Sequence, residues 1–261
     1  FAQNRFDKVA ADIVAFLGEI DIRPMHIVPI SAKEGDNIAR RSERMDWYGG
    51  PITLGVLDRF VVPTRPEGKP LRLPIQDVYK VGDKRMLAGR VESGAVRVGQ
   101  DIVFLPSESE TRVKSVEKFL APPVEVAEAG ESIGITIEDP LFVERGQTAC
   151  SADSRPRVTS NVQASVFWMS KQRMEVGESL KIKCATQEIP AKVTRIARRI
   201  DSSSLEVIGE NAVELKNNDI GEVIIETREP LAVETFYDVP ELGRFVLVRG
   251  HNVVAGGIVT E

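Results

Sequence analysis

Met25-His-Ile-Val-Pro-Ile-Ser-Ala-Lys-Glu-Gly-Asp-Asn-Ile38 joins a short apolar run to a polar loop. Residues 26–30 read as a buried strand. Ser31, Ala32 and Lys33 then form the loop at its C-terminal end, where open α/β sheets bind their ligands. Upstream, Phe6, Val9, Ala10, Ile13, Val14 and Leu17 recur at helical spacing, with Gly18 near the expected stop. Downstream, Pro51 suits the first position of a second helix, because its missing N–H is harmless there. Thr53, Val56, Leu57 and Phe60 mark the inner face of that helix. Helix, strand, loop and helix make a small α/β segment ending near Arg59.

The pattern changes at Val61-Val-Pro-Thr-Arg-Pro-Glu-Gly-Lys-Pro70, where three prolines in ten residues stiffen the backbone and remove donors. Beyond this linker helical spacing gives way to alternation: Leu73, Ile75 and Val78, then Val113 and Val116, then Ile133, Ile135 and Ile137. Short strands separated by Gly turns predict a small closed barrel, which also removes exposed sheet edges. A second break falls at Ser151-Ala-Asp-Ser-Arg-Pro-Arg157. Alternation then resumes with Val162, Ala164, Val166 and Trp168 and runs to the glycine-interrupted Val253-Val-Ala-Gly-Gly-Ile-Val259. The expected fold is therefore mainly β, with two small β-barrels preceded by an α/β segment. The domains are expected at residues 1–62, 63–154 and 155–261. The barrels share a weak echo, Val98-Gly99 ahead of strand 102–105 and Val176-Gly177 ahead of strand 180–184.

Composition narrows the function. The chain is 42% hydrophobic and 28% charged, the balance of a globular protein, with no apolar run long enough to span a membrane. Acidic residues outnumber basic ones, 39 to 34, and the net charge is −5. Nucleic-acid binding needs a local excess of Lys and Arg to displace counterions from phosphates. Only Lys192, Arg195, Arg198 and Arg199 form a basic stripe, which the solvent face of an alternating strand accounts for. Cys150 and Cys184 form no metal spacing and sit among alternating apolar residues, as small core side chains of a reducing cytoplasm. The start, Phe1-Ala-Gln-Asn-Arg-Phe6, is no signal peptide, and its lack of an initiator Met suits a piece of a longer protein.

Several chemistries are missing. No Gly-x-x-x-x-Gly-Lys-Ser/Thr phosphate cradle occurs, and Lys216-Asn217-Asn218-Asp219 is a scrambled form of a guanine-reading motif whose flanks suggest a barrel turn. This chain alone is not expected to hold GTP tightly. His26 and His251 stand apart, so neither a catalytic residue nor a metal site is assigned to them. Gly89-Arg-Val-Glu-Ser-Gly94 lies in an alternating stretch, where glycines permit turns and close strand contacts. Trp168-Met169 serves as a barrel plug or as a partner contact, and the sequence leaves both open.

These features together resemble the translation-factor class of GTPases, in which a nucleotide domain precedes two β-barrels. Ser31-Ala-Lys33 resembles the guanine-base loop. Met45-Asp-Trp-Tyr-Gly-Gly-Pro51, Gly89 to Gly94 with Val98-Gly99, Leu242-Gly-Arg-Phe-Val246 and Val254-Ala-Gly-Gly-Ile-Val-Thr-Glu261 match as well. Within the class, four segments are similar to the GTPase subunit of bacterial ATP sulfurylase. They are Arg41-Ser-Glu-Arg-Met-Asp-Trp47, Val166-Phe-Trp-Met169, Ile200-Asp-Ser-Ser-Ser-Leu-Glu206 and Asn218-Asp-Ile-Gly-Glu222. Gly55 departs from that family, which has a larger helix former there.

The resemblance implies that residues before the linker are the end of a P-loop GTPase domain whose phosphate-binding half lies upstream. It implies GTP with Mg as cofactors of the intact protein, none being expected on this chain alone. Ala32 would offer its backbone N–H to the guanine carbonyl oxygen, with Ser31 and Lys33 fixing the loop. The implied partner is the catalytic small subunit of sulfate adenylyltransferase, which joins sulfate to ATP while GTP hydrolysis drives product formation. Some family members continue into an adenylyl-sulfate kinase domain, and one beyond residue 261 is compatible with this sequence. The rival expectation is an elongation-factor-like protein whose barrels hold tRNA; the acidic balance weighs against it.

Overall fold

The computed structural model describes residues 1–61, 68–82 and 84–261, without the side chain of Val81. The chain divides into two compact units, Phe1–Thr64 and Arg65–Glu261. Part of the expected linker lies outside the described residues.

The first unit holds α1 (Gln3–Glu19) and α2 (Thr53–Leu57). α1 follows the apolar spacing, yet none of its residues is buried, and Ile13 and Val14 are nearly half exposed. It ends one residue past Gly18, where Asp21 turns left-handed at φ 55. α2 begins at Thr53, with Ile52 as its cap, two residues later than Pro51 suggests. The expected strand 26–30 is absent: these residues form no ladder, and only Ser31 makes an isolated bridge, to Asp36. A strand exists only by hydrogen bonding to a neighbour, and among the described residues of this unit no strand lies alongside to supply one. An apolar groove remains between α1 and residues 22–27, lined by Phe6, Ala10, Val14, Ile22 and Met25.

The second unit begins with β1 (Arg72–Val81), β2 (Lys84–Arg90), β3 (Ala95–Arg97) and β4 (Asp101–Leu105). β5 (Ser109–Glu117), β6 (Val126–Glu128), β7 (Ser132–Ile137) and β8 (Thr148–Ser151) follow. Six of these close into a barrel in the order β1-β2-β7-β5-β4-β8, while β3 and β6 pair as a separate ribbon. Alternation sends Leu73, Ile75, Leu87, Phe104, Val116 and Ile135 inward, each at most 2% exposed. Gly89 and Gly94 behave as the sequence suggests. A Cβ on Gly94, at φ 66, would stand 2.5 Å from the Lys69 carbonyl oxygen.

The second barrel uses β9 (Arg157–Trp168), β10 (Met174–Glu175), β11 (Ser179–Cys184), β12 (Gln187–Asp201) and β13 (Val207–Ala212). It continues with β14 (Glu214–Leu215), β15 (Asp219–Val233), α3 (Pro240–Gly243), β16 (Arg244–Arg249) and β17 (Asn252–Val259). The sheet order is β11-β16-β17-β9-β15-β12-β13, and β11 also pairs with β12, which closes six strands and leaves β13 appended. Trp168 is wholly buried in this core and donates Nε1–H to the Gln172 carbonyl at 2.9 Å. It is the plug, and Met169 beside it is exposed.

The sequence echo is a shared turn. Gly99 (φ 78) donates to the Val113 carbonyl and Gly177 (φ 87) to the Val193 carbonyl, both at 2.8 Å. In each turn the next residue donates back three positions, Gln100 to Arg97 and Glu178 to Glu175. Left-handed φ explains why Gly stands at both positions.

Within this unit the two barrels are joined. Val103, Leu105 and Cys150 of the first pack with Ala232 and Val158 of the second. Lys69 Nζ donates to the Asp238 carbonyl at 2.6 Å. The Lys216–Asp219 segment is a turn, as its flanks suggest, with Asn218 at φ 68 and Asp219 accepting from the Lys216 N–H at 2.5 Å.

Candidate functional site

Ser31, Ala32 and Lys33 open the loop 31–36, and a buried side chain behind it holds its shape. Ser31 accepts the Gly35 N–H on its carbonyl at 2.8 Å and the Glu34 N–H on Oγ at 3.4 Å. Gly35 is left-handed, at φ 79. Ala32 and Lys33 are exposed, and among the described residues nothing accepts from the Ala32 N–H. The three residues therefore stand together at an open loop, with a backbone donor free to meet an acceptor.

Asn37 is the residue that sequence reasoning missed. It is fully buried at φ 53, a conformation Asn tolerates better than most side chains. Its Nδ2 donates to the Pro29 carbonyl at 3.0 Å, and its Oδ1 accepts the Ser42 N–H at 2.8 Å. Its own carbonyl accepts both the N–H and the Oγ–H of Thr53, at 2.9 and 3.0 Å. One side chain and one carbonyl thus tie the segment before the loop, the segment after it and the start of α2. The available signal was the Gly35-Asp36-Asn37 turn that closes the polar loop after the apolar run.

Charge reinforces the frame. Asp36 accepts from Ser42 Oγ at 2.7 Å and pairs with Arg44 at 2.5 Å. The Ser42 hydrogen bond, followed by Arg44, holds the Asp36 carboxyl below the usual range. Arg41 donates to the Tyr48 and Gly50 carbonyls at 2.9 and 3.1 Å. Tyr48 closes the other side, its Oη donating to the Pro51 carbonyl at 3.0 Å, and burial raises its phenol pKa. A Cβ on Gly50 would stand 2.4 Å from that hydroxyl. Segment 41–51 is thus a brace for the loop.

The basic stripe is matched by acceptors. Arg198 Nε meets Glu222 at 2.5 Å, Arg199 Nε meets Asp219 at 2.6 Å, and Arg195 donates to Asn211 Oδ1 at 2.8 Å. Lys192 stands opposite Glu226 in the β12–β15 register. Such a surface has few cations left to displace counterions from a phosphate backbone. His26 lines the α1 groove and His251 lies in the β16–β17 turn, and no metal-binding cluster occurs among the described residues. Cys150 and Cys184 are buried free thiols. Among the described residues no helix is long and apolar enough to cross a membrane.

Residues 161–260 match the GTP-eEF1A C-terminal domain-like family, and residues 85–150 match elongation factor Tu domain 2. Sulfate adenylyltransferase subunit 1 of Aeromonas salmonicida (strain A449) is 33% identical over 264 residues, covering 100% of this chain and 55% of that protein. Elongation factor 1-alpha 1 of Euplotes crassus is 32% identical over 268 residues, covering 100% of this chain and 60% of that protein. The chain therefore spans little more than half the length of the curated relatives it matches. A crystal structure of sup35 complexed with GDP shares the fold, with a TM-score of 0.71 at 20% identity, over 100% of this chain and 65% of that one. The two barrel matches and the relatives aligned along the whole chain place it in the translation-factor-like family of GTPases, whose paired β-barrels it carries.

Proposed function

We propose that this chain is the barrel-bearing part of a GTPase subunit of sulfate adenylyltransferase, acting in the cytoplasm in sulfate assimilation. The observation that carries this reading over its rival is the ion-paired basic stripe on the second barrel. A surface that grips tRNA keeps its Arg and Lys free for phosphates; here carboxylates occupy Arg198 and Arg199 and an amide oxygen takes Arg195. Residues 1–62 are the end of the nucleotide domain, and 63–154 and 155–261 are the barrel domains.

In this reading Ser31, Ala32 and Lys33 hold the guanine base. The exposed Ala32 N–H fits that group, because a backbone donor reads a carbonyl acceptor that adenine lacks. Asn37 keeps the donor in place by tying both ends of the loop. GTP, with its Mg, supplies a hydrolysable phosphate whose loss reorders switch segments in this class. No residue of this chain carries the phosphate-binding motifs, so no step at the phosphates is assigned to it. The joined barrels pass a change in the nucleotide domain on to the catalytic small subunit, which forms adenylyl sulfate from ATP and sulfate. A kinase domain after residue 261 is compatible with this scheme and is not required by it.

The alternative, an elongation-factor-like tRNA binder, draws on the 32% identity to elongation factor 1-alpha. Calorimetric titration of the chain with the purified catalytic small subunit separates the two readings. Saturable binding, with no tRNA binding of steep salt dependence, is the expected result. Salt-dependent tRNA binding without subunit binding sinks the proposal.

A further inference from the structure

The outside of the second barrel carries an apolar row that barrel alternation does not require. Register pairs Phe167 with Ile220, Ile220 with Ile200, and Ile200 with Val207, across β9, β15, β12 and β13. Phe167 is 39% exposed and Val207 47%. An outward face of an antiparallel sheet is ordinarily polar, and contiguous exposed apolar surface marks contact sites. The neighbouring outer row, Ser165, Glu222, Arg198 and Glu210, has the expected polarity.

The row ends at an unfinished edge. β13 pairs with β12 on one side and is the last strand of its sheet. Past Ala212 that free side is taken up, since Val176 donates its N–H to the Val213 carbonyl at 3.0 Å and β10 pairs with β14. Along Val207–Ala212 nothing pairs with it among the described residues. Short extended segments add to such edges, their main chain supplying affinity and alternate side chains specificity. The local charge selects the occupant. Glu206 and Glu210 flank the edge without ion-pair partners among the described residues, while the nearby Arg198 is engaged by Glu222. A second copy of the chain would bring like charges to the same edge.

We propose that β13 is the docking edge for an extended, basic and apolar segment of a partner protein. The segment adds as a strand beside Val207–Ala212, continues the Phe167–Val207 row with its apolar residues and sets its cations near Glu206 and Glu210. The site is read from the second barrel alone and stands whether or not the partner belongs to sulfate activation.

The test uses the whole chain and two labelled peptides, one alternating Val with Lys and one alternating Val with Glu. Fluorescence anisotropy gives affinities, and amide hydrogen exchange gives the place of binding. The Lys peptide is expected to bind about tenfold more tightly than the Glu peptide, equivalent to about 1.4 kcal/mol. It is also expected to slow exchange at Val207–Ala212. Glu210→Lys with Glu206→Lys should erase or invert the preference while circular dichroism stays that of the parent chain. If those substitutions unfold the barrel, the exchange map of the unaltered chain still decides. Equal affinity for both peptides, protection away from β13, or a dimer in sedimentation that Val207→Lys dissolves would each overturn the proposal.

Discussion

Arg72, which opens β1 in the first barrel, meets Glu234, one residue beyond β15 in the second, at 2.5 Å with only 3% of the Arg72 side chain exposed. The guanidinium also donates to the Leu71 and Ser154 carbonyls at 2.8 and 2.9 Å. Its donors are thereby shared between a carboxylate and two backbone acceptors, which is what a buried charge needs to be tolerated. Around it, Cys150, Val103 and Ala232 supply the apolar contact between barrels.

Removing one member of this pair strands the other. Arg72→Ala is expected to destabilise the second unit by about 3–5 kcal/mol, read as a lower urea midpoint. Arg72→Met with Glu234→Leu should recover part of that loss, since an apolar pair leaves no uncompensated charge. A double variant no better than Arg72→Ala would show that the carbonyl contacts, and not the pair, hold the joint.

Asn37→Ala removes two hydrogen bonds, one buried and one part-buried, and places Ala at φ 53, and is expected to cost the first unit about 2–4 kcal/mol. Trp47 belongs to this unit and Trp168 to the other, so emission of a Trp168→Phe background reports the change alone. An unaltered Trp47 transition would remove Asn37 from its framing role.

Ser31→Ala in the full-length protein should weaken GTP and GDP together, because the loop faces the base in the proposed site. The Ser31 Oγ contact, at 3.4 Å, is long, so a loss of about threefold to tenfold is expected. Equal binding of both nucleotides by variant and parent in equilibrium dialysis would take Ser31 out of the site.

Trp168→Ala should cost the second barrel about 3–5 kcal/mol, as a large cavity opens in a sealed core. Trp168→Phe keeps an aromatic ring in the core and loses the Gln172 bond with part of the ring volume, so a smaller drop in melting temperature is expected. Equal losses for both variants would argue that the indole N–H outweighs the ring volume.

Burial pushes the Cys150 thiol up to about 11 and the Cys184 thiol up to about 12, from an ordinary 9.0. Native thiols then hold their protons where unfolded ones release them. Their contribution is fully present below pH 9 and is lost as pH rises towards those folded values. A neutral disulfide reagent at pH 8 should label neither cysteine until denaturant is added. Rapid labelling of the native chain would contradict their burial.

Much of the barrel half could be read along the chain. Leu73, Ile75, Ile133 and Ile135 point inward because alternation has a period of two, and that period is a local property. Gly99 and Gly177 likewise mark the same left-handed turn in both barrels. The first unit was less legible. Residues 26–30 have strand composition, but a strand's hydrogen bonds come from a neighbour that composition cannot supply. The loop itself was recognisable at Ser31, whereas Asn37 was not, since its partners lie eight residues before and five after it.

By its own pattern the chain determined which residues alternate, where the glycines turn and that Ser31-Ala32-Lys33 forms a loop, because each depends on neighbours a few bonds away. Tertiary structure alone decided that Arg72 finds Glu234, that Trp168 is a plug, that Arg198 and Arg199 of the basic stripe are ion-paired and that β13 keeps a free edge. Those outcomes join residues far apart along the chain. Only strand order and register, with the barrel closure they permit, bring such groups within hydrogen-bonding range.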